Sequence, residues 1–259
     1  MISQIHPIPA FTDNYIWAIH EDASSQLAVV DPGDAEPVMR YLAENDLTLS
    51  HIFITHHHPD HTGGLSKLIS EFNPVVFGPE PSNIKGISNF LHEGDSFQLF
   101  GRTFEIFEVP GHTLDHIAYF SDDENHPLVF CGDTLFAAGC GRLFEGTPSM
   151  MVESLGKLTK LKPNTAVYCT HEYTLANLKF AMAADGGNST LQQRVTDEQT
   201  KREADLPTLP SSISLELATN PFLRCDNSDV QENVAAARGV SSTDTTEVFA
   251  ALRQWKDNF

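Results

Sequence analysis

The stretch His51-Ile52-Phe53-Ile54-Thr55, continued by His56-His57-His58-Pro59-Asp60-His61-Thr62-Gly63-Gly64, decides how this chain reads. Its first part is β-branched and aromatic, the composition of a buried strand. Its second part is dense in metal-ligand types. Ligands therefore leave the end of a strand, where α/β folds place their sites. Residues at i and i+2 of an extended segment point the same way, so His56 and His58 are expected to converge while His57 points away. Pro59 ends the extended run and frees Asp60 and His61 to turn toward a neighbouring point. Thr62-Gly63-Gly64 then opens a helix.

Three further segments repeat the form of a strand ending in a ligand type. FEIFEVPGHT (Phe104–Thr113) delivers His112, PLVFCGDT (Pro127–Thr134) delivers Asp133 and AVYCTHEY (Ala166–Tyr173) delivers His171. Five histidines and two carboxylates result. Imidazole and carboxylate together suit zinc, iron or manganese. The set is too large for one tetrahedral ion but fits two ions that share a carboxylate. In that division His56, His58 and His112 hold the first ion, Asp60, His61 and His171 the second, and Asp133 touches both. Two divalent ions against two carboxylates and one hydroxide leave roughly +1, which attracts an anionic or polarised substrate. A site that merely staples a fold is closed and typically rich in cysteine, whereas His/Asp sites keep a position for water. Asp31, in Asp31-Pro32-Gly33 after the run Gln26–Val30, either orients a ligand histidine through its second ring nitrogen or is a simple turn residue. His116, four residues past His112, is a candidate to support it; His6, His20, His51, His92 and His126 have no motif context.

Around these segments short β-rich runs alternate with helical patterns. Strands are expected at Gln26–Val30, His51–Thr55, Val75–Phe77, Thr103–Val109, His116–Phe120, Leu128–Cys131 and Ala166–Cys169. Helices are expected at Glu36–Asn45, Leu65–Phe72 and Ser149–Leu161, the last after the cap Thr147 with Pro148 at its first position. The alternation indicates an α/β architecture. After about Tyr173 only helical patterns remain: Leu175–Ala184, then Ser189–Ala204 with Ser189 and Gln192 at capping-box spacing, and two more near Asp229–Arg238 and Thr243–Lys256. Residues 1–173 and 174–259 are thus expected to form an α/β domain and a helical one.

The 259 residues include 35 Asp+Glu and 16 Lys+Arg, a net charge of −19. Such a surface repels phosphate backbones and anionic membranes unless a basic patch is segregated, and no Lys/Arg run occurs, so no nucleic acid and no membrane is expected as a partner. No apolar run approaches the ~20 residues of a bilayer span. The opening MISQIHPIPAFTDNY lacks a basic start and an apolar block, so no export signal is read. Cys131, Cys140, Cys169 and Cys225 form no CxxC and read as reduced thiols of a cytoplasmic protein.

HxHxDH with a separate His, Asp and His resembles the metallo-β-lactamase superfamily. The segments His56–His61, Gly111–Thr113, Cys131–Phe136, Gly139–Met151 and Thr170–Thr174 resemble, within it, glyoxalase II, the hydroxyacylglutathione hydrolases. So do FTDNY (Phe11–Tyr15), NPFLR (Asn220–Arg224) and LRQWKDNF (Leu252–Phe259). The resemblance covers nearly the whole chain. It implies a four-layer αβ/βα sandwich followed by a helical glutathione-binding domain, two metal ions (zinc first, iron or manganese as alternatives), and cleavage of S-D-lactoylglutathione to D-lactate and glutathione, the second step of methylglyoxal detoxification. It implies that His56, His58, Asp60, His61, His112, Asp133 and His171 are the metal ligands, and that Arg142, Tyr173, Arg253 and Lys256 contact glutathione. Two positions depart from the family pattern. Phe144 stands where some members carry a tyrosine whose hydroxyl reaches glutathione, and Asp115 stands where a glycine is expected.

The chemistry agrees. A thioester has a good leaving thiolate and needs a nucleophile at neutral pH and a cation for the developing oxyanion. A hydroxide bridging two metals, held at Asp60 and Asp133, supplies the first, and metal charge the second. Arg253 and Lys256, three apart, share a helical face and offer a cationic spot on an acidic chain, unless they only complement a helix dipole. The alternative enzyme is a glutathione persulfide dioxygenase of the same superfamily with a single iron; the intact Gly139–Gly146 segment and the long helical tail argue against it. A β-lactamase would carry cysteine at Asp133, a ribonuclease would need a basic surface, and a metal-holding scaffold without turnover would not need every ligand. A small-molecule thioester and a monomeric state are the expected partners and assembly.

Overall fold

The structure, a computed structural model, describes residues 2–21, 24–80 and 82–259. It divides into two compact units: Met1–Glu108 with Asp115–Gly132, and Val109–Leu114 with Asp133–Phe259.

The first unit contains a mixed sheet in the order β1 (Ile2–Ala10), β2 (Asn14–Glu21), β3 (Gln26–Val30), β4 (Thr48–Phe53), β5 (Val75–Pro79), β6 (Asn89–Leu91). The β1–β2 and β2–β3 pairings are antiparallel and the following three parallel. The β1–β2 hairpin was not expected from the sequence. Its disguise is Pro7 and Pro9. They lie two apart on an edge strand, so both nitrogens point to the open side, where the ladder needs no donor. Three helices follow: α1 (Ala35–Glu44), α2 (Pro59–Thr62) and α3 (Leu65–Phe72). The Asp34 side chain caps α1 by accepting from Glu36 N at 3.0 Å. Asn73, at φ 49°, closes α3 in the left-handed conformation that asparagine tolerates. Val38, Leu42, Leu65 and Leu68 from α1 and α3 are buried with Leu27, Val29, Ile52 and Ile54 of the sheet segment.

A second, antiparallel group of the same unit is β7 (Ser96–Leu99), β8 (Arg102–Glu108), β9 (Ile117–Ser121) and β10 (Leu128–Gly132). Phe53 lies between these groups, with Tyr119 stacked at 4.9 Å and Phe97 and Phe104 edge-on at 5.2 and 5.4 Å. The Tyr119 hydroxyl, fully buried, donates to Ile54 O at 2.7 Å. Burial pushes its pKa well up, so it stays a donor. Strand β4 ends at Phe53, two residues earlier than expected. The chain stays extended to Thr55, but there the amide turns from the ladder to the Asp31 side chain, 2.8 Å away.

The second unit holds the short hairpin β11 (Leu135–Phe136) and β12 (Gly139–Cys140), then α4 (Pro148–Leu158) and β13 (Ala166–Cys169), which pairs antiparallel with β14 (Ser211–Ser212). Helices α5 (Thr174–Asp185), α6 (Ser189–Glu203), α7 (Ile213–Thr219), α8 (Ser228–Arg238) and α9 (Thr245–Asp257) fill the tail. Thr147 caps α4 as its sequence indicates, accepting from Met150 N at 3.3 Å. The capping box expected at Ser189 does not form. Asn188 is the cap instead, accepting from Thr190 N and Leu191 N. Asparagine is at least as good a cap as serine, and its amide also donates to Ala218 O at 2.8 Å, which serine could not do. No helix among the described residues is long and apolar enough to cross a membrane.

Candidate metal-binding and substrate-binding residues

In the first unit the HxHxDH segment folds as its spacing indicates. The ligand atoms of His56 and His58 come within 4.8 Å of each other. Pro59 opens the single turn of α2, which carries Asp60 and His61. His61 Nε2 lies 3.6 Å from Asp60 Oδ2. His57 turns away and pairs its Nδ1 with Asp115 Oδ1 at 2.9 Å. The charge that departs from the family glycine is thus engaged with the histidine between two ligand candidates. His116 stacks on the face of His56 at 4.6 Å.

One carboxylate organises this half. Asp31 is buried, with Oδ1 accepting Thr55 N at 2.8 Å and Oδ2 accepting both Thr55 Oγ1 at 2.7 Å and His61 Nδ1 at 3.0 Å. The Thr55 hydroxyl spends its proton on Asp31, so at its 3.0 Å contact with His56 Nδ1 it accepts. Protons therefore sit on Nδ1 of both His56 and His61, and Nε2 of each carries the lone pair. Asp31 thus orients ligand candidates and also makes the turn: Gly33 N donates to Asp31 O at 2.8 Å. Glycine is required at position 33 because a Cβ there would lie 1.8 Å from Asp60 O. On the other side of Asp60, Asn14 Nδ2 donates to its Oδ2 at 3.2 Å.

In the second unit Asp133 sits between two imidazoles. Its Oδ2 is 3.4 Å from His112 Nε2 and 3.4 Å from His171 Nε2. His112 Nδ1 is 2.8 Å from Arg142 O. A carbonyl only accepts, so Nδ1 carries the proton, and in the neutral ring the Nε2 lone pair faces the carboxylate. The His171 ring lies parallel to Tyr173, centroids 4.6 Å apart. The donors of both units are imidazole nitrogen and carboxylate oxygen, a set that fits divalent metal ions of the zinc, iron or manganese type.

The expected substrate residues all lie in the second unit. Arg142 is exposed, its Nε 3.5 Å from Asp257 Oδ1. Tyr173 is partly exposed beside His171. Arg253 is buried: it donates to Cys140 O at 2.9 Å, holds Asp257 Oδ1, and lies over the Phe222 ring. Lys256 Nζ bonds Asn177 Oδ1 and lies over the Phe180 ring. Burial, reinforced by the neighbouring Arg253 charge, lowers its pKa to about 8. Phe144 is well exposed, with its ring edge-on to His112 at 5.2 Å.

Thr55, Asn14 and Gly33 escaped the sequence reading as supporting residues. Thr55 and Asn14 lie inside the quoted HIFIT and FTDNY segments, but a hydroxyl relay and a carboxyl-holding amide have no spacing signature. Asn177, which accepts from Lys256, escaped as well.

Comparison with known proteins identifies the family. Residues 15–171 match the family model of the metallo-beta-lactamase superfamily, and residues 172–259 match that of the hydroxyacylglutathione hydrolase C-terminus. A hydroxyacylglutathione hydrolase of Pseudomonas aeruginosa is 52% identical over 257 residues, covering 99% of each chain. One from Hahella chejuensis is 49% identical over 258 residues, covering each chain fully. Among solved structures, ETHE1 from Myxococcus xanthus superposes with a TM-score of 0.66 at 23% identity, covering 98% of each chain. The BLEG-1 B3 metallo-beta-lactamase superposes with a TM-score of 0.64 at 22% identity, covering 85% of this chain and 99% of its own. At these identities the structural likenesses show the fold alone.

Proposed function

The chain belongs to the hydroxyacylglutathione hydrolases of the metallo-β-lactamase superfamily, and from that premise we propose how its residues cleave S-D-lactoylglutathione to D-lactate and glutathione. Its class is α/β with a C-terminal helical region, and it is a thioester hydrolase. The alternative of a persulfide dioxygenase rests on fold likeness alone and is less supported.

We assign two divalent ions, zinc first, to His56, His58, His112, Asp60, His61, His171 and the shared Asp133. The observation that carries this reading is the pair of 3.4 Å contacts at Asp133. With the proton of His112 committed to Arg142 O, the Nε2 lone pair would oppose a carboxylate oxygen unless a cation lies between them. When bound, such ions stabilise a developing oxyanion and bring the pKa of water toward about 7. The chain's own part is orientation and proton handling. Asp31, through Thr55 and directly, keeps the Nε2 atoms of His56 and His61 available. Asn14 and the close-packed Gly33 hold Asp60. Asp60 and Asp133 are the carboxylates assigned to the attacking water; one of them takes up one of its protons as the oxygen bonds the acyl carbon and passes it to the sulfur as the C–S bond breaks, and the second proton leaves with the lactate carboxyl.

Arg142, Tyr173 and Lys256 are assigned to glutathione, whose carboxylates need cations on a chain this acidic. Arg253 keeps one Nη2 N–H beyond its contacts to Cys140 and Asp257, and that is its share in the same task. The functional division proposed is residues 1–173 for chemistry, with Arg142 and Tyr173 also reaching the substrate, and 174–259 for the rest of substrate binding. Four buried free thiols support a reducing compartment, taken as the cytoplasm. A monomer without nucleic-acid or membrane partners completes the proposal. The test is loss of thioester absorbance of S-D-lactoylglutathione with purified protein, with and without chelator. Chelator-sensitive hydrolysis is expected, and its absence would overturn the reading.

A further inference from the structure

Helices α6 and α7 carry a fully buried ionic cluster that the reaction does not use. Glu216 and Asn220 are wholly buried, and Arg194 nearly so. Arg194 Nη2 donates to Glu216 Oε1 at 2.7 Å, and Ser211 Oγ bonds the same oxygen. Burying an ion pair is costly, and such a pair is a poor source of stability compared with apolar packing. What Glu216 does with its other oxygen explains the arrangement. Oε2 accepts Ala138 N at 2.8 Å and Asn220 Nδ2 at 3.0 Å. Asn220 Nδ2 also reaches Gly139 O at 2.9 Å and Phe136 O at 3.2 Å.

All three of those main-chain partners belong to the β11–β12 hairpin. Ala138, in its turn, has φ 55°, a left-handed conformation disfavoured for alanine. Asn177 holds the neighbouring Ala137 O at 2.9 Å. The hairpin begins two residues after Asp133 and ends two before Arg142. At its base Gly141 N donates to Thr134 O at 3.2 Å, and a Cβ on Gly141 would lie 2.0 Å from Asp133 O. The next residue supplies the carbonyl that fixes His112. A shift of this hairpin therefore moves the main chain of one ligand candidate and the proton acceptor of another.

We propose that Glu216 and Asn220, with Arg194 neutralising the carboxylate, are positioning residues for the metal centre: they hold the strained hairpin whose two ends fix Asp133 and His112. The inference rests on the metal reading above. It gives the tail a part in metal binding as well as in substrate binding.

The test uses the full-length protein and measures zinc affinity by competition with a chromogenic chelator, beside the melting temperature of the metal-free form. Asn220→Ala removes the bonds to Phe136 O and Gly139 O, leaving of the cluster's hairpin bonds only the one from Ala138 N to Glu216, and is expected to weaken zinc about tenfold, the lower end of what loss of an outer partner costs a metal site. Asn188→Ala is the control. That asparagine, a half-buried helix cap in the same unit, bonds Ala218 O and Asp185 and no hairpin atom. It is expected to lower the melting temperature and leave zinc affinity at the wild-type value. Glu216→Gln carries the same test should Asn220→Ala not fold. Its amide must turn a donor toward either Arg194 or the Ala138 and Asn220 donors, and it is expected to weaken zinc similarly. Zinc affinity unchanged in the folded variant, or weakened equally in Asn188→Ala, would overturn the proposal. A wild-type chain that holds no zinc would overturn the metal reading itself.

Discussion

Replacing Asp31 by asparagine tests the logic of the first half of the site with little disturbance to the backbone. Asp31 has φ 51°, which asparagine tolerates as well as aspartate, and the two side chains have the same shape. What changes is the pattern of donors. Oδ1 of Asp31 takes one amide, and Oδ2 takes the Thr55 hydroxyl and the His61 ring. In Asp31→Asn the amide oxygen can keep the Thr55 N–H, which leaves an NH2 against two donors. The Thr55 hydroxyl can rotate and accept. His61 Nδ1–H loses its acceptor, and the ring is relieved by moving its proton to Nε2, the atom assigned to the metal. Loss of such an outer partner costs about 10–100-fold in metal affinity or activity, or about 1.4–2.8 kcal/mol at 1.4 kcal/mol per decade. Chelator competition on the purified variant reads the first quantity, and kcat/KM for S-D-lactoylglutathione the second. Wild-type values of both would refute the idea that Asp31 sets the histidine tautomers.

Further outcomes follow from other contacts. The Lys256 charge is present below about pH 8 and lost above it, so KM should rise between pH 7 and 9, and Lys256→Met should show a higher KM without that rise; parallel profiles would remove Lys256 from substrate binding. Because its pKa in the fold lies below the ordinary 10.5, the folded chain binds fewer protons in that window, and this group's contribution to stability increases from about pH 8 to 10.5. Phe144→Tyr restores a hydroxyl beside His112 and should lower KM about two- to tenfold, the value of one net hydrogen bond; an unchanged KM would show that no substrate atom comes within reach of that position. Gly33→Ala should cost more than about 2 kcal/mol in thermal unfolding and weaken zinc as well, because its Cβ meets the main chain of Asp60.

Much of this was legible in the residues. The period of two in His56 and His58, the proline at position 59 and the strand ahead of them carry their geometry in the order of side chains. Helix α3 falls where its apolar spacing and Asn73 put it. Two kinds of feature were not legible. The first is structure whose local signal points elsewhere: prolines hid an edge strand, and Asn188 took a cap that a capping-box spacing assigned one residue later. The second is cooperation between distant segments. The hydroxyl of Thr55 is meaningful only once Asp31 lies beneath it, and Glu216 only once a hairpin formed 78 residues earlier presents Ala138 N to it. Such pairings are set by packing and leave no mark in local periodicity.

His56, His58, Asp60, His61, His112, Asp133 and His171 would hold two divalent ions, and the chemistry those ions would supply is an activated water. Metal content and hydrolysis of S-D-lactoylglutathione, measured on one preparation while a chelator is titrated in, test that assignment most directly. About two equivalents of divalent metal per chain are expected in the active protein, with turnover collapsing as they are withdrawn. Full turnover with a single equivalent, or turnover indifferent to exhaustive chelation, would contradict it.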